Sequence, residues 1–241
     1  GSFNISTTAA FVVAGAGVAV AKHGNRSATS QCGSADVLEA LGVNIDADPA
    51  LTARCIDETG IGFLFARKLH AAMKHVAPVR AELKVRTVFN ILGPLTNPAR
   101  ACGQVMGVFD SSLVEPLAHV LMGLGSRHAF VVAGADGLDE ISLAGPSIVA
   151  EARAGHVESY QIVPDSLGIS RAEKSVLKGG DAQANAHILN NVLQGEKGPH
   201  RDIVMLNAAP AIIAGEAAAD WPSAIDAAAD AIDSGRAYNT L

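Results

Sequence analysis

Lys22-His23-Gly24-Asn25-Arg26-Ser27-Ala28-Thr29-Ser30, followed by Gly33-Ser34 and the run Asp36-Val37-Leu38-Glu39-Ala40-Leu41-Gly42, decides how the rest of the chain is read. The stretch opens on a basic residue after the apolar run Val18–Ala21, crowds hydroxyl, amide and glycine residues into a short loop, and ends on a helical pattern. Ser34 is a good N-cap, Asp36 suits the first helical turn, and Gly42 suits the position just past the last turn. A polar, glycine-containing loop that feeds a helix N-terminus presents N–H groups at the positive end of a dipole, which suits an anion. Lys22 adds an ammonium near the donors of Asn25, Ser27, Ser30 and Ser34, an arrangement better suited to phosphate than to bare solvent.

Working outward, apolar runs alternate with helical patterns. Strands are expected at Val18–Ala21, Ile61–Phe65, Gln104–Phe109 and Ala129–Ala133, and helices near Ala35–Leu41, Lys68–His75, Ser112–Leu124 and Asp181–Leu193. This alternation predicts an α/β domain with a mostly parallel central sheet covered by helices. Further short strands are expected at Glu140–Ser142, Ser147–Arg153 and Ser159–Val163, with antiparallel pairing open to them. Ala208–Leu241 is helical in pattern, broken near Trp221-Pro222, and Asn207–Ile213 reads equally as helix or buried strand by periodicity. The apolar run Thr7–Ala21 is shorter than the ~20 residues of a membrane span, carries Gly15 and Gly17, and has no basic segment ahead of it. It reads as a buried helix followed by a buried strand, with no targeting segment.

The 241 residues are 49% hydrophobic but only 4% aromatic, so the core must be built from Ala, Val, Leu and Ile. A formal charge of −6 argues against a general polyanion binder, though a local basic cluster can still hold one small phosphorylated ligand. Cys32, Cys55 and Cys102 are scattered, odd in number and lack metal-ligand spacing, which fits a reducing, cytoplasmic setting.

Several other positions carry two readings each. Asn4, Ser6 and Thr7 precede a helix and form an N-cap cluster, yet a hydroxyl there is also a hard-oxygen ligand. Asp139-Glu140 follow the glycine-containing stretch Gly134–Gly137. They are either surface charge or a Mg²⁺-binding pair. The second requires the backbone to turn, because adjacent strand residues face opposite ways, and the Gly137-Leu138 step can supply that turn. Arg80 lies in a helical pattern after Pro78, where it is either an exposed helix arginine or a fork for a carboxylate. Pro94 and Pro98 by themselves indicate a rigid loop.

The stretch from Lys22 to Ser30 belongs to an ordered series that includes Phe3-Asn4-Ile5-Ser6-Thr7, Gly60-Ile61-Gly62-Phe63 and Arg86-Thr87-Val88-Phe89-Asn90. The series continues through Leu92-Gly93-Pro94-Leu95-Thr96-Asn97-Pro98, Asp136-Gly137-Leu138-Asp139-Glu140 and Leu206-Asn207-Ala208-Ala209. In these motifs, and over essentially its whole length, the chain resembles the anthranilate phosphoribosyltransferase family of tryptophan biosynthesis. The resemblance implies a nucleoside phosphorylase/phosphoribosyltransferase-type large domain spanning 1–241, with helix at Asn207–Ile213. It implies transfer of the 5-phosphoribosyl group from phosphoribosyl diphosphate to the amine of anthranilate, with Mg²⁺ as cofactor and no acid or base residue assigned. Phosphoribosyl diphosphate would lie against Ser2, Asn4, Ile5, Ser6, Thr7, Lys22, His23, Gly24, Asn25, Arg26, Ser27, Ala28, Thr29, Ser30 and Ser34. Anthranilate would meet Asn25, Arg80, His23, His70, Gly93 and Pro94, and Mg²⁺ would take Ser6, Asp139 and Glu140. Arg86 is expected to be structural.

The family also carries an N-terminal helical domain and a Gly-Thr-Gly-Gly-Asp loop ahead of the Asn-Ile-Ser-Thr segment. The expectation is therefore a catalytic α/β domain without them, with a homodimer through those helices in the longer parent and no nucleic acid or membrane partner. Alternatives are an impaired fragment, a pyrimidine nucleoside phosphorylase of the same architecture, and a non-catalytic nucleic-acid-binding relative.

Overall fold

A computed structural model describes residues 1–27, 31–70, 82 and 89–241, the side chains of residues 89 and 90 excepted. In chain order the elements are α1 (Ile5–Gly15), β1 (Val20–Gly24), α2 (Ser34–Ala40), α3 (Pro49–Thr59), β2 (Ile61–Phe65), α4 (Ala66–Leu69) and α5 (Phe89–Leu95). There follow β3 (Gly103–Gly107), α6 (Val114–Gly123), β4 (His128–Gly134), β5 (Ser147–Arg153), β6 (His156–Ile162), α7 (Ala182–Leu193), α8 (Pro199–Ala214), α9 (Trp221–Asp233) and α10 (Arg236–Asn239).

The α/β layering expected from the sequence is present, but the strands pair differently. Among the described residues they form two sheets, a parallel pair β1-β2 and a four-stranded sheet in the order β3-β4-β5-β6. β3 and β4 are parallel, whereas β4-β5 and β5-β6 are antiparallel, so the pairing is mixed rather than mostly parallel. Connection length explains the difference. β1 reaches β2 through α2 and α3, and β3 reaches β4 through α6, which are crossovers long enough for parallel pairing. β5 and β6 are joined only by Ala154-Gly155, both at positive φ (51° and 81°). This is the two-residue mirror-image turn that makes a hairpin.

Boundaries shift for local reasons. β1 pairs Val20 with Ile61 and Lys22 with Phe63, so Lys22 lies inside the strand rather than beyond it. α3 was not expected, because its largely polar sequence buries only Thr52. The signals were nonetheless in place, with the Asp48 carboxylate accepting from the Leu51 N–H at 2.9 Å and Pro49 opening the helix. The expected break near Trp221-Pro222 falls earlier, at residues 215–220. Trp221-Pro222 instead form the first turn of α9, capped by Asp220. Asn207–Ile213 is helix. Glu140–Ser142 is not a strand and lies in the loop between β4 and β5. The helix expected at Lys68–His75 starts at Ala66 and ends at Leu69, and residues 71–75 lie outside the described residues.

α1 and α8 are buried on nearly every side, as helices that are apolar all round must be. Their small residues allow close approach. A Cβ on Gly15 would lie 2.6 Å from the Ala237 nitrogen, so α10 can sit against α1 only because position 15 is glycine. β4 is buried along its whole length. Its alternate side chains Phe130 and Val132 join the main core, while Ala129, Val131 and Ala133 pack under α6 with Leu117 and Leu121. The loop after β4 lies near the N-terminus of α1 and the strand β1.

Candidate active site

The loop after β1 is closed at its neck by one carboxylate. Asp36 Oδ2 accepts from the backbone N–H of Gly33 at 2.8 Å and of Ser27 at 3.1 Å, and Oδ1 accepts from Arg26 Nη1 at 2.9 Å. Glu39 takes the rest of the Arg26 fork at 2.8 and 3.0 Å. A Cβ on Gly33 would fall 2.3 Å from the Ser27 nitrogen, so the neck closes only around glycine. The N-cap of α2 is therefore Gly33, not Ser34. Ser34 has moved into the helix because its hydroxyl is used elsewhere, donating to the Asn25 carbonyl and accepting from the Asn25 N–H, both at 3.2 Å. Gly42 does end the helix, at φ 87°. Val43 N–H bonds Leu38 O and Gly42 N–H bonds Glu39 O, each at 3.0 Å, the paired bonds of a glycine-terminated helix.

Asn4 occupies the N-cap position of α1 but makes no side-chain cap bond. Its Oδ1 instead accepts from Asn185 Nδ2 at 2.9 Å and from the Cys32 thiol at 3.3 Å. This ties the start of α1 to α7 and to the end of the phosphate-type loop. Ile5 and Thr7 are buried, Ser6 is exposed, and Ser2 pairs with Lys178 in an isolated bridge.

The N-terminus of α1 meets the loop after β4. Ser6 lies beside the Glu140 carboxylate, where its backbone N–H and its hydroxyl both favour the charged form. Burial pushes the Glu140 carboxyl up to about 7, the neighbouring Asp139 adds to the rise, and Lys22 and Ser6 oppose it. The Lys22 ammonium is pulled down by burial and supported by Glu140. The turn required at Gly137 is present, with φ at 76° and Gly134 N–H bonding the Leu138 carbonyl at 2.9 Å. Thus Ser6, Lys22 and Glu140, from three distant parts of the chain, converge with Asp139 beside them. A hydroxyl and two carboxylates are hard-oxygen donors, and a desolvated carboxyl beside another carboxylate is a place where added positive charge relieves repulsion. The donors therefore fit Mg²⁺. Among the described residues no group of three or more His, Cys, Asp or Glu is placed for a metal.

His23 and His70 meet with their Nε2 atoms 3.1 Å apart and their rings nearly perpendicular. The His23 pKa is lowered by burial and by His70, against a hydrogen bond that the ring donates to the Gly93 backbone carbonyl, which raises it, with Lys22 lowering it further. The resemblance-derived residues His23, His70 and Gly93 are thus neighbours. Pro94 lies in the last turn of α5 rather than in a loop, and its carbonyl accepts from Gln104 at 2.7 Å. Asn97 then bonds the Ala21 carbonyl of β1 at 3.0 Å, holding this segment against the strand. Ala28, Thr29, Ser30, Arg80 and Arg86 lie outside the described residues.

Sequence reasoning read Asp36 only as a first-turn acid and gave no role to Glu39, Asn97, Asn185 or Asn207. For Asn207 the signal was a lone amide within an apolar helical run.

Residues 1–238 match the family model described as "Glycosyl transferase family, a/b domain". Anthranilate phosphoribosyltransferase of Symbiobacterium thermophilum is 58% identical over 240 residues, covering 100% of this chain and 70% of that protein. The Rhodospirillum rubrum enzyme of the same name is 56% identical with the same coverages. The crystal structure of the Thermus thermophilus enzyme superposes with a TM-score of 0.94 at 48% identity, over 100% of this chain and 71% of that one. The Saccharomyces cerevisiae enzyme, in complex with PRPP and Mg, gives 0.89 at 30% identity over 99% and 68%. On sequence and fold together, the chain belongs to the anthranilate phosphoribosyltransferase family of glycosyl transferases.

Proposed function

We propose that the chain transfers the 5-phosphoribosyl group of phosphoribosyl diphosphate to the amine of anthranilate, giving N-(5-phosphoribosyl)anthranilate and pyrophosphate. The observation that carries this reading is the convergence of Ser6, Lys22 and Glu140 at the N-terminus of α1. Lys22, Asn25, Ser27, Ser34 and the α1 N-terminus bind the diphosphate. The Arg26 fork is taken by Asp36 and Glu39, so Arg26 acts by holding the loop in shape. Ser6, Asp139 and Glu140 hold Mg²⁺, which when bound offsets the charge that grows on the departing pyrophosphate. His23, His70 and Gly93 line the face where the aromatic ring rests, and Asn25 and Arg80 orient it. Holding the amine in line with carbon 1 of the ribose supplies the positioning part of the rate. A neutral aniline is already nucleophilic, so the reaction needs no strong base. The span 1–241 is then the catalytic α/β domain of a longer, cytoplasmic enzyme.

Loss of anthranilate fluorescence in the presence of phosphoribosyl diphosphate and Mg²⁺ tests the reading directly. Turnover supports it, and no turnover by this chain or by the longer parent overturns it. Asp139→Ala is expected to weaken Mg²⁺-dependent binding of the diphosphate, and an unchanged Mg²⁺ titration would remove Asp139 from the metal set. Arg80→Ala is expected to raise KM for anthranilate alone, by an amount corresponding to about 1.5–3 kcal/mol for the lost charged hydrogen bonds. An equal loss for both substrates counts against that role.

A further inference from the structure

Asn207 is a buried amide in the middle of α8, within a run from Ile203 to Ala214 whose other side chains are apolar. A buried amide is costly unless its donors and acceptors are used. Here three of its four hydrogen-bonding capacities are met. Oδ1 accepts from the Ile141 N–H at 2.7 Å, and Nδ2 donates to the Ile141 carbonyl at 2.9 Å and to the Ile203 carbonyl at 2.9 Å. Both peptide groups of Ile141, a fully buried residue directly after Glu140, are therefore satisfied by one side chain 66 positions away. This is the bonding that a neighbouring strand would otherwise give, and it is why residues 140–142 need no strand partner.

A second contact bears on the same turn. A Cβ on Gly107, the last residue of β3, would lie 1.7 Å from the Asp139 carbonyl oxygen. The backbone of Asp139 thus rests directly on β3, while that of Ile141 is gripped from α8. Glu140 is fixed between the two.

We propose that Asn207 is a positioning residue for the Asp139–Glu140 pair. By replacing a strand partner for Ile141, it holds the two carboxylates in the one backbone arrangement in which both can share a divalent cation with Ser6. The inference rests on the Mg²⁺ reading given under Proposed function. Residues that support ligating groups from behind change metal affinity by roughly 10–100-fold when removed, although they never touch the metal.

The test compares the full chain with Asn207→Leu, which keeps the branched heavy-atom skeleton and removes the hydrogen bonds, and with Asn207→Ser and Gly107→Ala. Mn²⁺ binding in the presence of phosphoribosyl diphosphate is followed by electron paramagnetic resonance. Exchange of the Ile141 amide is followed without metal. The expected result is Mn²⁺ binding weakened by roughly tenfold or more, an Ile141 amide that exchanges faster in the Asn207 variants, and anthranilate KM within about twofold of the parent value. Gly107→Ala, which displaces Asp139 through a different contact, is expected to weaken Mn²⁺ in the same way. Should Asn207→Leu fail to fold, Asn207→Ser and Gly107→Ala decide the question. Folded variants that bind Mn²⁺ as the parent does overturn the role of Asn207 and leave the functional reading standing. A parent chain that binds no Mn²⁺ with phosphoribosyl diphosphate overturns the functional reading itself.

Discussion

Asp36 shows how much a single side chain can organise. Its two oxygens collect two backbone N–H groups and the Arg26 guanidinium, and the loop from Asn25 to Gly33 depends on that neck. The carboxylate sits below its usual pKa because the Gly33 and Ser27 N–H groups and Arg26 outweigh its partial burial. Asp36→Asn keeps the shape, gives up the charge and one acceptor oxygen, and leaves Arg26 with Glu39 alone. Weakening charge-assisted bonds of this kind is expected to raise KM for phosphoribosyl diphosphate about tenfold, with anthranilate KM little altered. Steady-state kinetics with each substrate varied in turn check this, and a matched rise in both constants counts against a loop-specific role. The residue-type grammar of this region was open to sequence reading. The partners were not, because Glu39 reaches Arg26 across 13 positions through the fold of the loop.

At the scale of the element, the β5–β6 hairpin is held by a turn whose first residue is poorly chosen. Ala154 adopts φ 51°, a left-handed conformation that costs a Cβ-bearing residue roughly 1–2 kcal/mol, while asparagine tolerates it better. Ala154→Asn produces the Asn-Gly pair favoured in such turns, and is expected to stabilise the chain by about 0.5–1 kcal/mol. A chemical denaturation midpoint that stays put or falls would contradict this. Leu121 on α6 is a different case. It is 1% exposed, in the small cluster between α6 and the four-stranded sheet. Leu121→Ala is expected to cost about 2–5 kcal/mol, because the surrounding Ala and Val side chains leave a cavity they cannot fill. Calorimetric unfolding gives the measurement. Both elements were legible as a helix and a strand pair. The hairpin pairing was not, because the turn carries no strong sequence signal beyond Gly155.

Across the whole molecule, α8 and α9 are joined by an ion pair whose two ends have different surroundings. The side chain of Arg201 is only 4% exposed, while that of Asp233 is 48% exposed and also bonds Lys197 at 3.1 Å. Hydrogen bonds from Arg201 first, and from Lys197 next, hold the Asp233 carboxyl far below the usual carboxylate range. A depressed carboxylate stabilises the fold fully above the unfolded value of about 3.9, and that stabilisation is lost as pH falls towards the folded value. Asp233→Asn is therefore expected to unfold more easily than the parent by a constant amount above about pH 5, with the gap closing below about pH 4. The loss at neutral pH is about 2 kcal/mol, the low side for a broken buried pair because the carboxylate is half in solvent. Urea unfolding at stepped pH measures it, and a gap that persists unchanged at pH 3 would rule the linkage out.

The sequence alone determined the alternation of strands and helices, the polar, glycine-containing loop after Lys22, the turn at Gly137 that precedes Asp139-Glu140, and the family. Each of these depends on neighbouring residues: a glycine free to take positive φ, a run of polar residues, an apolar period or an ordered series of motifs. Only the tertiary structure decided that the strands pair as two sheets, that Arg26 turns to α2, that Lys22 and Ser6 lie near Glu140, that His23 meets His70 across 47 positions, and that Asn207 grips Ile141. These pairings arise because a buried polar group must find a partner wherever packing brings one within reach. No local pattern in either segment names the other.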